Sequence, residues 1–127
     1  ERIMLIEGDS VAPDIVGVVH DMCAHTNKVL VILDSCHSYQ HVANELMAYH
    51  DLVSPGFYIV ATDGNMQDLA DVPRGNPDWE WDNPQRAAQE FAKIHSEFII
   101  EQPTWPFNES TLTKNTTYWP SAWLKRI

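Results

Sequence analysis

Two aspartates, Asp34 and Asp63, each follow a short apolar segment rich in β-branched residues. These segments, at residues 29–33 and 57–61, are typical of strands buried on both faces of a parallel sheet. Ligands of open α/β sheets bind beyond the carboxyl ends of the strands, so the two carboxylates are expected side by side at one rim. There they could share a divalent cation, and without one their repulsion would raise a pKa. The alternative is that each aspartate only caps the next helix or turn.

His37 lies three residues after Asp34, on the loop above the same predicted rim. Histidine as a residue type titrates near neutral pH, so this side chain is a candidate general base for a substrate hydroxyl, or a group that faces a metal ion. The alternative is a loop histidine that hydrogen-bonds to the backbone. His41 and Glu45 follow at helical spacing and are interpreted as structural.

Composition restricts the classes of partner. The chain has 127 residues and a mass of 14.5 kDa, which corresponds to one domain or a piece of one. Eight basic and 18 acidic residues give a net charge of −10, which opposes binding to nucleic acid. No apolar run is long enough to span a membrane, so a membrane partner is not expected. The two cysteines favour a reduced, cytoplasmic setting. The start at Glu1 resembles neither an initiator methionine nor a signal peptide, so we expect a truncated chain.

Hydrophobic periodicity predicts the element order β-α-β-α-β-loop-α-β-β. The order favours a doubly wound α/β sheet with an antiparallel last strand. In the helix that begins at Pro84, residues Ala87 or Ala88, Phe91 and Ile94 are predicted to face inward. The predicted strands are 3–7, 29–33, 57–61, 98–101 and 116–127; the other predicted helices are 13–25 and 39–49; residues 64–81 and 105–115 are predicted to be irregular.

Several motifs resemble the C-terminal half of the cephalosporin-hydroxylase-type class I methyltransferases, a group that includes cephamycin and rhamnosyl O-methyltransferase-like enzymes. The similarity covers essentially the whole chain, as the C-terminal part of a single methyltransferase domain, residues 1–127. The combination of Asp-Ser-x-His with His-Val-x-x-Glu-Leu is the most specific part. The matching motifs are Gly8-Asp9-Ser10, Leu33-Asp34-Ser35-Cys36-His37, His41-Val42-Ala43-Asn44-Glu45-Leu46, residues 52–58 and the tail 118–127.

The resemblance implies a Rossmann-like class I methyltransferase sheet, mostly parallel, with the strand order 3-2-1-4-5-7-6. This chain would supply strands 3, 4, 5, 6 and 7 and lack the first two. It contains no glycine-rich Gly-x-Gly turn, so we expect little or no activity from the isolated chain. An incomplete sheet also leaves backbone groups without partners, so association into a homo-oligomer is expected.

The resemblance also implies a cofactor and its site. The cofactor is S-adenosyl-L-methionine, the methyl acceptor is a hydroxyl of a sugar or small natural product, and the turn Gly8, Asp9 and Ser10 borders the adenine. Asp34 is implied as a further cofactor-binding residue.

For catalysis and metal binding, the resemblance implies His37 and Asp34 as catalytic residues and Asp34, Thr62 and Asp63 as ligands of Mg²⁺. Thr62 stands where the family usually has a carboxylate. A hydroxyl is a weaker ligand for a hard cation, so the expected affinity for magnesium is reduced.

Two other classes of function are compatible with parts of the sequence. Ser10 in Gly-Asp-Ser, with Asp34 and His37 as an Asp-x-x-His pair, is the arrangement of a serine hydrolase, although the oxyanion-hole blocks of that family are not recognisable. The missing glycine-rich turn and the Thr62 substitution would also suit a non-catalytic methyltransferase remnant kept as an interaction module.

Overall fold

Three helices and four strands form a mixed α/β fold in the computed structural model, which describes residues 3–102, 104, 111, 113 and 117–127. In this part of the chain, no helix has both the length and the apolar character needed to cross a bilayer. The elements are α1 (Pro13–Cys23), β1 (Val31–Leu33), α2 (Tyr39–Tyr49), β2 (Tyr58–Ala61), α3 (Pro84–Ile94), β3 (Phe98–Ile100) and β4 (Trp123–Arg126); short 3-10 helices cover His50–Leu52, Gly64–Leu69 and Pro77–Glu80.

The four strands form one sheet in the order β1-β2-β4-β3. β1 and β2 are parallel, and Leu33 lies opposite Ala61. β4 is antiparallel to both of its neighbours, with Ile59 opposite Leu124 on one side. The predicted α/β class and the antiparallel last strand are therefore confirmed.

Helices α2 and α3 pack against each other over a core shared with the sheet. Leu46 of α2, Ile59 of β2 and Leu124 of β4 have no exposed surface. Each helix begins at a residue whose side chain caps it: Ser38 Oγ accepts from the His41 N–H at 3.2 Å, and Asn83 Oδ1 accepts from the Arg86 N–H at 2.9 Å. These caps satisfy backbone donors that the first turn leaves unpaired.

The predicted strand at residues 3–7 is wrong. This segment pairs with no strand in the described part of the chain, and Ile3 and Leu5 are 77% and 91% exposed. β1 is an edge of the sheet, and among the described residues the segment 3–7 does not pair with its free backbone groups. Ile32 of β1 is 58% exposed, so β1 is buried on one face rather than on both.

Other predicted boundaries shift by several residues. The second predicted strand begins at Val31 rather than residue 29, and the last begins at Trp123 because Ser121, just before it, adopts a left-handed φ of 56°. Ile94, predicted to face inward, is exposed because it lies along an open groove between α2 and α3, together with Met47 of α2. The segment predicted as irregular at 64–81 contains two 3-10 helices, whereas most of 105–115 lies outside the described residues.

The position of Leu124 leads to a stability prediction. This side chain is fully buried on the strand that joins β2 to β3, so Leu124→Ala should lower the free energy of unfolding by about 2–5 kcal/mol. Urea denaturation measures the change. Leu5→Ala is the matched control and should stay within about 0.5 kcal/mol, because Leu5 is exposed. Equal effects of the two substitutions would contradict this account of the core.

Candidate functional site

The parallel pairing of β1 with β2 brings Asp34 next to Thr62 and Asp63. Leu33 and Ala61 lie opposite each other at the ends of the strands, and the Thr62 N–H donates to the Leu33 carbonyl at 3.2 Å. Both carboxylates therefore leave the sheet at the same rim, as predicted. We call Asp34, His37, Thr62 and Asp63 the acidic rim.

Thr62 is the buried member of the acidic rim. Its hydroxyl donates to Asp34 Oδ1 at 2.5 Å and also lies 3.0 Å from the Leu33 carbonyl oxygen. The residue that departs from the expected carboxylate thus acts as a hydrogen-bond donor to the neighbouring carboxylate. A donor of this kind stabilises the ionised form of its partner.

The pKa of Asp34 is lowered from its ordinary value of 3.8, mainly by the hydrogen bond from Thr62 and further by His37. This differs from the sequence-based expectation that two acids without a cation would raise a pKa. The difference arises because Asp34 is not a buried acid: 63% of its side chain is exposed, and a donor and a histidine face it.

His37 lies between the two carboxylates. Its Nε2 atom is 3.5 Å from Asp34 Oδ1, 3.4 Å from Asp63 Oδ2 and 3.4 Å from Thr62 Oγ1. These distances are longer than those of optimal hydrogen bonds, so the interaction is mostly electrostatic. His37 and Asp34 thus lie next to each other, and their role as catalytic residues stays a prediction.

Asp63 is held by a contact that the sequence does not indicate. Its backbone adopts a left-handed φ of 54°, a conformation that aspartate tolerates better than most residues. The indole Nε1–H of Trp119 donates to Asp63 Oδ1 at 3.1 Å. These two features leave Oδ2 as the oxygen that faces His37. Trp119 lies 56 residues away along the chain, so no local pattern marks it as part of the site.

The donor atoms of the acidic rim are of types that bind divalent cations. One ligand atom each from Asp34, His37 and Asp63 lie within 4.8 Å of one another. Carboxylate oxygens suit Mg²⁺, whereas an imidazole nitrogen is more typical of transition metals. Thr62 would be the weakest member of such a set, because a hydroxyl is a neutral ligand and hard cations prefer carboxylate oxygens.

An open cleft of about 490 Å³ adjoins the acidic rim, between α1 and the β1 edge. Its walls include Ser10, Asp34, Ser35 and Glu45, together with apolar residues of β1. The volume falls in the range of cofactor and small-molecule sites. Two of the four predicted cofactor-binding residues, Ser10 and Asp34, therefore line one cleft.

The other two predicted cofactor-binding residues, Gly8 and Asp9, are not among those that line the cleft. Asp9 Oδ1 accepts from the Val11 N–H at 3.1 Å, which stabilises its own turn. Gly8 has a φ of 155°, and a Cβ atom there would lie 2.5 Å from the side chain of Ile15. A larger residue at position 8 would therefore push the turn away from α1.

A polar cluster around the buried Glu45 fixes the Ser10 turn against α2. Glu45 Oε1 accepts hydrogen bonds from the hydroxyls of Ser10 at 2.6 Å and Ser35 at 2.8 Å. His41 Nε2 lies 3.0 and 3.1 Å from the same two hydroxyls, and the Tyr49 hydroxyl donates to the Ser10 carbonyl. The structural interpretation of His41 and Glu45 is consistent with these contacts, whereas Ser35 is a member that sequence reasoning missed.

This cluster gives the serine hydrolase alternative no geometric support. Ser10 contacts His41 and Glu45 rather than His37, the histidine of the Asp-x-x-His pair. In a catalytic triad, the acid and the serine bind opposite nitrogens of the histidine ring. Here Ser10 and Glu45 both face His41 Nε2, and the serine proton is directed at the carboxylate.

The fold is that of an α/β protein with the acidic rim at the carboxyl ends of its parallel strands, where ligands of open α/β sheets bind, and with a cleft along the β1 edge. A model of the rhamnosyl O-methyltransferase/CmcI family matches residues 1–127, and the chain belongs to this family. The family resemblance expected from the motifs is thereby confirmed, and methyltransferase is the class of enzyme to which the chain is assigned. Comparison with individual curated proteins and with solved structures gave no match.

The contact between Thr62 and Asp34 predicts that the pKa of Asp34 changes when the Thr62 hydroxyl is removed. Thr62→Val removes the largest cause of the lowered pKa of Asp34, which should rise toward 3.8; Thr62→Ser keeps the hydroxyl and should leave it low. The ionised Asp34 contributes stability that is present above its unfolded-state pKa and lost as the pH falls through the lower folded-state pKa. The decrease in the free energy of unfolding as the pH falls should therefore be smaller in Thr62→Val than in the native chain. Carboxyl NMR titration measures the pKa, and an unchanged value in Thr62→Val would contradict this role.

Proposed function

We propose that this chain is part of an S-adenosyl-L-methionine-dependent O-methyltransferase that acts on a hydroxyl of a sugar or small natural product. The observation that carries the proposal is the acidic rim beside the cleft lined by Ser10 and Asp34, in a chain that belongs to a methyltransferase family. The sheet order β1-β2-β4-β3 also supports it. This is the order expected for strands 4, 5, 7 and 6 of the class I sheet.

The cleft beside β1 is the proposed cofactor site. S-adenosyl-L-methionine supplies an electrophilic methyl group on a sulfonium, and the acceptor oxygen must lie in line with it. Ser10 is held by Glu45 and Tyr49, so its position in the cleft wall is fixed before a ligand binds. We propose that the 8–10 turn contacts the adenosine part, and that Asp34 faces the reacting end.

His37 is the proposed general base. It takes the proton of the acceptor hydroxyl as the oxygen gains the methyl group, and the imidazolium that results lies between Asp34 and Asp63. Both carboxylates therefore stabilise the charge that develops during the reaction. The proton leaves to solvent afterwards, because the His37 side chain is partly exposed.

A divalent cation is proposed as an additional component of the acidic rim. Asp34 and Asp63 would hold it, with Thr62 as a weak neutral ligand, and it would lower the pKa of the acceptor hydroxyl and orient it. We further propose a cytoplasmic protein whose partner is a small-molecule acceptor rather than nucleic acid or a membrane. Self-association is proposed because Ile32 on the β1 edge is exposed, as are the apolar side chains of residues 3–6.

Cofactor binding is the first test. S-adenosyl-L-methionine should bind in calorimetric titration to the longest protein that the gene encodes, with and without Mg²⁺. The 127-residue chain is titrated in parallel, and weaker binding there would locate part of the cofactor site outside these residues. Absence of binding by either protein would overturn the proposal and favour the non-catalytic remnant.

The acidic rim predicts separate effects on catalysis and on cofactor binding. In the same protein, His37→Gln should slow methyl transfer by about 10²–10⁴-fold, because the base is lost. Asp34→Ala should also slow it strongly, whereas cofactor affinity should be nearly unchanged in His37→Gln, because His37 does not line the cleft. Transfer of labelled methyl to a rhamnoside acceptor measures the rate, and Asp71→Asn, an exposed site outside the rim, is the control.

An unchanged rate in His37→Gln would remove His37 from the mechanism. Loss of cofactor binding together with activity would instead contradict its assignment as a base.

A further inference from the structure

A second group of metal-ligating side chains lies at the end of the sheet away from the acidic rim. His50 follows the last residue of α2, His95 follows the last residue of α3, and Glu97 directly precedes β3. Both helices begin near the rim and run away from it, so the three residues meet at the opposite end. We call them the distal cluster.

We propose that the distal cluster binds Zn²⁺ or a similar divalent transition cation, with solvent completing the coordination. One ring nitrogen of each histidine and one oxygen of Glu97 lie within 4.8 Å of one another. His95 Nδ1 and Glu97 Oε1 are 3.2 Å apart. Two ligands that are each about 2.0–2.1 Å from a tetrahedral zinc ion are separated by roughly 3.3 Å. This pair therefore already has the spacing of two zinc ligands.

The hydrogen bonds of His50 prepare its ring for metal binding. Its Nδ1 atom is 3.1 Å from the carbonyl oxygen of Leu46 and 3.1 Å from that of Met47. Carbonyl oxygens only accept, so the neutral ring carries its proton on Nδ1 and keeps the Nε2 lone pair. A backbone carbonyl bound to the second ring nitrogen is the arrangement typical of histidines that ligate metals.

Aromatic packing holds the two rings in place. His95 stacks on Phe91 with ring centres 4.0 Å apart, and His50 meets the edge of the same ring at 5.5 Å. The centres of the two imidazoles are 4.8 Å apart. Rings that are already fixed lose little conformational freedom when a ligand binds. All three members remain partly exposed, so an ion can enter and a water can bind to it.

The donor types separate the distal cluster from the acidic rim. Two imidazoles and one carboxylate form a set that suits zinc, whereas the two carboxylates and one imidazole of the rim form a harder set. The net charge of −10 favours cation binding generally. The proposed zinc site is independent of the methyltransferase mechanism, because none of its residues belongs to the rim or to the cleft.

The test is calorimetric titration of Zn²⁺ into the whole chain and into single-site variants. Each of His50→Gln, His95→Gln and Glu97→Gln should lower the affinity by more than about tenfold, since even second-shell changes at zinc sites cost that much. His25→Gln is the matched control, because His25 is exposed and belongs to neither cluster. Asp34→Asn should leave the zinc affinity of the distal cluster unchanged and remove any zinc binding by the acidic rim.

Glu97→Gln is the decisive variant, because Glu97 is 42% exposed in its side chain and its replacement leaves the packing of the two rings intact. A visible absorption band of four-coordinate Co²⁺ that disappears in this variant would support the proposal. Zinc affinity that is equal in Glu97→Gln and the native chain, binding that is lost in Asp34→Asn instead, or no binding at all would overturn it.

Discussion

The parallel pairing of β1 with β2 is the constraint on which the candidate active site depends. Its register sets Leu33 opposite Ala61, and the hydrogen bond from Thr62 to the Leu33 carbonyl extends it by one residue. Asp34 therefore emerges beside Thr62 and Asp63. A slip of one residue would turn every side chain of a strand to the other face, so burial of Leu33 and Ile59 in the core fixes the rim as well as the sheet.

The charge of the acidic rim differs from that expected for a magnesium site. Thr62 removes one negative charge from the set expected for a magnesium site, and its hydroxyl stabilises the ionised form of Asp34. His37 lies between the remaining carboxylates, at the place where a positive charge would be best compensated. A rim of this kind suits proton transfer from an acceptor hydroxyl, with or without a cation beside it.

Elements with a strong hydrophobic period could be predicted from the sequence. Elements that depend on pairing with a neighbouring strand could not. Val42, Leu46 and Tyr49 recur at helical spacing, and all three are buried in α2. Residues 3–7 have the apolar character of a strand but pair with no strand among the described residues, since hydrogen-bond partners come from elsewhere in the fold. Ile94 keeps the helical period of α3 and is nevertheless exposed, because periodicity defines a face without defining how far the core extends along it.

The sequence by itself determined the family, the α/β class and the rim that joins Asp34 to Asp63, because short apolar strands, turns and motifs are local properties. Tertiary structure alone decided which side chains meet across long separations: Trp119 with Asp63, Ser10 with Glu45, and His50 with His95. These contacts depend on how helices pack on the sheet. Side chains far apart along the chain leave no periodic signal in the sequence, since their distance in space is set by the packing of the whole core.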